Sequence, residues 1–172
     1  TFSADALDHR VQDEALARRL AGFRLTGAFN LLGGYLADAD DLARFAGDVP
    51  LNTDDRPVVL FEAPRFLYNR TPDPAHRLLM EMVDTFSPSA ADLLQHPPAL
   101  ADGDASQTAQ TRLEAYWNAR NRFLRAGIGV PQTRDLRKLL RHVREPLLAV
   151  VEESPDFDGA YAPLLGMARQ LS

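Results

Sequence analysis

Leucine and valine recur every three or four positions along a stretch near the carboxyl end of the chain, and this pattern leaves little choice of local structure. The recurring positions are Leu136, Leu139, Leu140, Val143, Leu147, Leu148 and Val151. Side chains at this spacing share one side of an α-helix, and that side has to be buried against another part of the chain. Pro146 lies within the stretch, so we expect the helix either to bend or to divide there.

Weaker forms of the same pattern predict helices along most of the remaining chain. They cover residues 3–24, 40–45, 73–86, 87–95, 113–124 and 159–171. Ser3 is a suitable N-cap for the first of these helices, and Gly127 is expected to end the fifth by adopting a positive φ. The apolar run 29–36 is short and glycine-flanked, so a buried strand fits it as well as a helix.

A single strand is expected near residues 57–62, where β-branched and aromatic residues lie between Pro57 and Pro64. The predicted fold class is therefore mainly α, built from helical hairpins, with this small strand element. We expect two parts, residues 1–68 and residues 69–172. A loop is predicted at 96–106 within the second part, because that stretch is rich in Pro, Gly, Asp and Ser.

Positive charge is concentrated in one block of an otherwise acidic chain. Residues 112–144 hold 9 Lys and Arg against 2 Asp and Glu, although the formal net charge of the chain is -5. The cations on the side of the predicted helix opposite the leucine stripe are Arg134, Arg137, Lys138, Arg141 and Arg144. Such a face binds an acidic protein surface or an anionic membrane surface, or it is only solvated and paired to acidic residues of the same chain. Nucleic acid is not expected as a partner, because aromatic residues are not interleaved with these cations.

The residue types that metal or cofactor chemistry needs are scattered. The chain has no cysteine, and we predict no metal site because its histidines are far apart, at His9, His76, His96 and His142. It has no glycine-rich phosphate loop and no nucleophile elbow, so we expect no cofactor in this chain and assign no catalytic residue. An aromatic ligand-binding pocket is one interpretation of Tyr116, Trp117 and Phe123, although aromatic residues at helical spacing are more often part of a core.

The stretch PLNTDDRPVVLFEAPR, residues 50–65, has two interpretations. Short polar side chains at Asn52, Thr53 and Asp54 are suited to a turn that precedes a strand. Alternatively, Asp54, Asp55 and Glu62 bind a cation such as a polyamine, since carboxylates suit a polycationic ligand.

The same stretch resembles a motif near the end of the aminopropyltransferase-like domain of bacterial spermidine synthase-like proteins. The matching residues are Asn52, Thr53, Asp54, Asp55, Pro57, Glu62, Ala63, Pro64 and Arg65. The segment LLGGYLADADDLARFAG, residues 31–47, is also similar, and the resemblance covers about residues 1–65. In that family the glycine-rich cofactor loop and the catalytic aspartate lie upstream, and nothing in this sequence corresponds to them.

The resemblance implies that this chain is a non-catalytic C-terminal region of a longer protein, in agreement with a first residue, Thr1, that is not methionine. The parent protein is then expected to act in polyamine biosynthesis by aminopropyl transfer, and its upstream enzyme-like domain is the expected partner of this region. In many such proteins a multi-span membrane region precedes the enzyme-like domain. The expected location is therefore the cytoplasmic side, and membrane association of the parent stays open.

Residues 147–171 resemble a tetratricopeptide-type helical hairpin, with Pro155 closing one repeat and Tyr161 and Leu164 in the next. Gly166 falls one residue late for that pattern, so the resemblance implies irregular repeats. Helices of this type usually offer a surface to another protein or domain. An independent helical module that binds a protein or a membrane surface through its basic face is therefore the alternative function.

Overall fold

The computed structural model describes residues 3–58, 74–94, 103–128, 130 and 135–171. These residues form nine α-helices and one 3₁₀ helix, and apart from an isolated bridge they contain no strand. The α-helices are α1 (Ala4–Val11), α2 (Glu14–Ala21), α3 (Ala28–Gly33), α4 (Ala39–Ala46), α5 (Pro74–Thr85), α6 (Ala90–Leu93), α7 (Gly103–Ala126), α8 (Leu136–Glu153) and α9 (Tyr161–Leu171), and the 3₁₀ helix is Asp158–Ala160. The predicted mainly α fold is confirmed. The strand predicted near 57–62 is not found at its two described residues, because Pro57 has no regular structure and Val58 is helical, and the rest of it lies outside the described residues.

The chain forms two compact units, which are described separately below. The first unit contains residues 1–35 and 87–172, and the second contains residues 36–86. The predicted boundary between residues 68 and 69 lies outside the described residues and stays a prediction.

In the first unit, α7 packs against α8, and α8 packs against α9. The apolar stripe of α8 is the reason, because Val143, Leu147 and Val150 are all buried in one cluster with residues of the other two helices. Pro146 neither ends nor divides α8, which runs without interruption from Leu136 to Glu153. The expected helical hairpins are therefore present in this part of the chain.

A second buried cluster joins α3, α6 and α7. Leu32, Leu113 and Trp117 lie at its centre, and the Trp117 Nε1 donates a hydrogen bond to the Leu32 carbonyl at 3.1 Å. Tyr116 is buried in the neighbouring cluster, where it meets the Phe157 ring edge-to-face at 5.3 Å between centroids. Phe123 packs against that cluster as well. The aromatic residues considered for a ligand-binding pocket are thus part of the core.

The single helix predicted for residues 3–24 is wrong, because the structure divides it into α1 and α2. Ser3 is the N-cap of α1, as expected, and its Oγ accepts a hydrogen bond from the Ala6 N–H. Asp13 is a second N-cap, and its Oδ1 accepts from the Leu16 N–H at 3.1 Å. The first N–H groups of a helix have no partner within that helix, so a side chain that accepts hydrogen bonds from them stabilises a helix start. Asp13 therefore favours the end of one helix and the start of the next at its position.

Three further predictions are settled by local geometry. The ambiguous run 29–36 is helical through Gly33, because α3 occupies it. Gly127 follows α7 but does not have a positive φ, since Gly47 is the only described glycine in that region of φ. The long helix α7 begins at Gly103, so the end of the predicted loop at 96–106 is helical.

The second unit is built around α4 and α5. Phe45 and Phe86 pack edge-to-face with ring centroids 5.6 Å apart, which links the end of α4 to the residue following α5. The buried side of α5 contains Met80 and Val83, whereas Leu78 is half exposed. None of the helices in the described parts of the chain is long and apolar enough to cross a membrane.

Candidate functional site

The cationic face of α8 is an exposed surface opposite the buried stripe. We use this name for Arg137, Lys138, Arg141 and Arg144, all of which are exposed. Asp135 precedes the helix, and its Oδ1 accepts hydrogen bonds from the N–H groups of Arg137 and Lys138 at 3.0 and 3.2 Å. The helix start is therefore fixed by a cap, and the packed stripe fixes its rotation. Arg134, the remaining predicted member of this face, lies outside the described residues.

Within the described part of the chain, most of the cationic face has no ionic partner. Among the described residues, no carboxylate forms an ion pair with Arg137, Lys138 or Arg141. The Arg141 Nε donates to the Arg137 carbonyl at 3.4 Å, a contact that leaves its charge uncompensated. Arg144 lies 3.7 Å from Glu145, but both side chains are well exposed, so solvent screens this pair. The expectation that acidic residues of the chain neutralise this face is not met within its described part.

The first turn of α8 is an unfavourable place for positive charge. Free N–H groups give a helix N-terminus a partial positive charge, so cations there lower helix stability by about 0.3–1 kcal/mol each at low ionic strength. Arg137 and Lys138 occupy this turn, next to the capping carboxylate of Asp135. Helix stability alone therefore does not account for the position of these two cations.

Other arginines of the basic block have structural roles instead. Arg120 donates from Nη1 to the carbonyl oxygens of Gly33 and Tyr35, both at 2.7 Å, and so satisfies backbone acceptors at the end of α3. Burial lowers the pKa of the Arg120 guanidinium. The Arg122 Nε lies 3.2 Å from Glu153 Oε2, which ties α7 to α8.

Arg112 makes the best-defined ion pair of the first unit. Its Nε and Nη2 donate to the two carboxylate oxygens of Asp156 at 2.5 and 2.6 Å, and its guanidinium lies 4.2 Å from the centre of the Phe29 ring. The hydrogen bonds from Arg112 lower the pKa of Asp156, and those to Asp156 raise the pKa of Arg112. The pair connects α7 with the turn before α9. Sequence reasoning missed it, because the partners are 44 residues apart.

Within the PLNTDDRP motif, residues 53–56 form a tight turn. The N–H and carbonyl groups of Thr53 and Arg56 exchange hydrogen bonds of 3.1 and 3.0 Å, and the Thr53 Oγ1 also accepts from the Arg56 N–H at 3.1 Å. Asp54 and Asp55 are exposed at the tip of this turn. The turn interpretation is supported for residues 53–56. Glu62, the third predicted ligand for a polyamine, lies outside the described residues.

The described residues contain no group of three His, Cys, Asp or Glu side chains placed to hold a metal ion. Comparisons with protein-family models, curated proteins and solved structures returned no match to this chain.

Proposed function

We propose that this chain is a helical binding module that docks an acidic protein surface on the cationic face of α8. The observation that carries the proposal is the exposure of Arg137, Lys138 and Arg141 without an ionic partner among the described residues. Arginine is suited to binding an acidic surface, because its planar guanidinium group donates two parallel hydrogen bonds to a carboxylate. Along a helix, residues four positions apart are separated by about 6 Å, a spacing that carboxylates on a facing helix reproduce.

An acidic protein is favoured over a membrane by the way α8 is packed. Helices that lie on membranes bury their apolar side among the lipids, but the apolar side of α8 already contacts α7 and α9. Charge alone would then have to hold the module on a bilayer. At about 1 kcal/mol for each Lys or Arg near an anionic surface, the described cations support only weak and reversible attachment.

A charge-reversal experiment tests this proposal. The variant R137E/K138E/R141E is compared with R18E/R19E/R24E, which changes the net charge equally through exposed arginines elsewhere in the first unit. Binding of a labelled glutamate-rich helical peptide is measured by fluorescence anisotropy at low and high salt. We expect the first variant to lose binding and the second to keep it. Equal binding by both variants contradicts the proposal, and binding to phosphatidylserine vesicles but not to the peptide assigns the face to a membrane.

We also propose that the chain is the non-catalytic C-terminal region of a spermidine synthase-like protein that acts in polyamine biosynthesis. The observation in favour is the closed turn at Thr53 to Arg56, which gives the motif a structural role that does not require its carboxylates to be catalytic. In this proposal the partner is the upstream enzyme-like domain.

Two measurements test the second proposal. Supplied with an aminopropyl donor and putrescine, this chain alone is expected to form no product, and turnover would contradict a non-catalytic role. The coding sequence upstream of Thr1 is expected to encode a glycine-rich nucleotide-binding loop. An in-frame stop codon directly upstream of Thr1 would contradict the second proposal.

A further inference from the structure

An apolar groove runs between α4 and α5 in the second unit. Its volume is about 1040 Å³, and the residues that give it apolar character are Leu42, Phe45, Val49, Leu78, Met82 and Phe86. Leu42, Val49 and Leu78 are exposed to 42%, 66% and 50%, respectively, although large aliphatic side chains are usually buried. The groove is thus a concentrated apolar surface and not a single exposed residue.

The apolar side chains of the groove come from both walls. On one wall, Leu42 and Phe45 are three residues apart on α4 and Val49 follows beyond the end of that helix, and on the other, Leu78 and Met82 are four residues apart on α5. The edge-to-face contact of Phe45 with Phe86 connects the two walls. No residue of α4 is buried, and Leu42 on its apolar side is 42% exposed. A groove lined in this way accepts a helix that carries apolar residues at corresponding spacings.

The charge around the groove determines what kind of helix fits. Asp41 and Glu81 lie at its edge, and its one described cation, Arg44, is already bonded to Asp41. The sequence from 36 to 86 has 10 Asp and Glu against 5 Lys and Arg, so this unit carries the whole net negative charge of the chain. An acidic edge attracts cationic ligands and repels anionic ones.

We propose that the groove between α4 and α5 binds a cationic amphipathic helix of a partner protein. The apolar side of that helix covers Leu42, Val49 and Leu78, and its Lys or Arg residues face Glu81. A symmetric pair of copies of this chain fits less well, because it would bring two acidic edges together. Anionic lipid is repelled for the same reason. This inference is independent of the cationic face on α8.

The test uses a labelled helical peptide of leucine and lysine, about 14 residues or four turns long, with its leucines on one side. Two matched peptides serve as controls. One has the same composition with the leucines scattered, and the other has glutamate in place of lysine. We expect only the first peptide to bind, with an affinity that falls as salt is added.

The variant L42K/L78K should weaken binding at least tenfold, because it places charge on both walls of the groove. L165K is the control variant, since Leu165 is also about half exposed, at 54%, but belongs to α9 of the first unit. Circular dichroism confirms that both variants remain helical. The proposal is overturned by absence of binding, by equal binding of the scattered or acidic peptide, or by unchanged binding in L42K/L78K. Sedimentation that shows a dimer abolished by L42K/L78K assigns the groove to a second copy and overturns it as well.

Discussion

Gly33 lies directly beneath the ring of Tyr116, so close that a Cβ at position 33 would be 2.0 Å from the Tyr116 Cε1. This approach lets the end of α3 pack against α7, and it holds the Gly33 carbonyl where Arg120 binds it at 2.7 Å. The neighbouring Asn30 Nδ2 donates to the Tyr116 hydroxyl at 3.4 Å, and burial raises the pKa of that hydroxyl.

We expect Gly33→Ala to lower the free energy of unfolding by about 1–3 kcal/mol, because the added methyl group overlaps a buried ring that has to shift. Gly34→Ala is the control, since the nearest atom to an added Cβ there is the Leu31 carbonyl oxygen at 3.4 Å. Urea unfolding followed by fluorescence suits the measurement, because Trp117 is the single tryptophan and is buried in the same unit. Equal stability of the two variants contradicts the close packing.

Replacing Arg120 with methionine should cost about 1–3 kcal/mol of unfolding free energy. The aliphatic part of the side chain is retained, but the carbonyl oxygens of Gly33 and Tyr35 lose a charged donor. Arg18→Met serves for comparison, because the ion pair of Arg18 with Glu14 is exposed and should contribute less than about 1 kcal/mol. A cost for Arg120→Met no larger than that for Arg18→Met would argue against the bridging role.

The ion pair of Arg112 with Asp156 should make stability depend on pH in the acidic range. The pKa of Asp156 is lower in the folded chain than in the unfolded chain, where it is about 3.8. The contribution of the ion pair to the free energy of unfolding is therefore complete above this unfolded pKa, and it is lost as the pH falls through the folded pKa. We expect Asp156→Asn to be destabilised by about 1 kcal/mol at neutral pH, given the bidentate but partly exposed pair.

The check on this pair is the difference in unfolding free energy between the unmodified chain and Asp156→Asn, measured from pH 7 downward. That difference should stay constant to about pH 5 and then shrink at lower pH. A difference that changes between pH 7 and pH 5 indicates that another group is responsible.

Charge reversal of the cationic face should leave the fold intact or strengthen it. Arg137 and Lys138 lie in the first turn of α8, where acidic side chains interact favourably with the helix dipole. R137E/K138E/R141E is therefore expected to unfold at a urea concentration equal to or above that of the unmodified chain, with any gain reduced by salt. Marked destabilisation would show that these cations support the structure, and it would remove the basis for assigning them to binding.

Much of the helical content follows from the sequence. The stripe from Leu136 to Val151 predicts α8, and Ser3 marks the start of α1, because these patterns depend on residues three or four positions apart. Asp13 is a local signal of the same kind, and reading it as an N-cap would have predicted the break between α1 and α2. The exposed position of Arg137, Lys138 and Arg141 also follows from helical spacing once the buried side of α8 is known.

What the sequence alone determined is thus that the chain is mainly helical, which side of α8 is apolar and where positive charge is concentrated. Only the tertiary structure separated the arginines of the basic block into those that bind Asp156 or backbone carbonyls and those left exposed. It also decided that Leu78 lines a groove while Met80 is buried. The physical reason is that helical spacing is local, whereas partners such as Arg112 and Asp156, 44 residues apart, meet only after the helices pack.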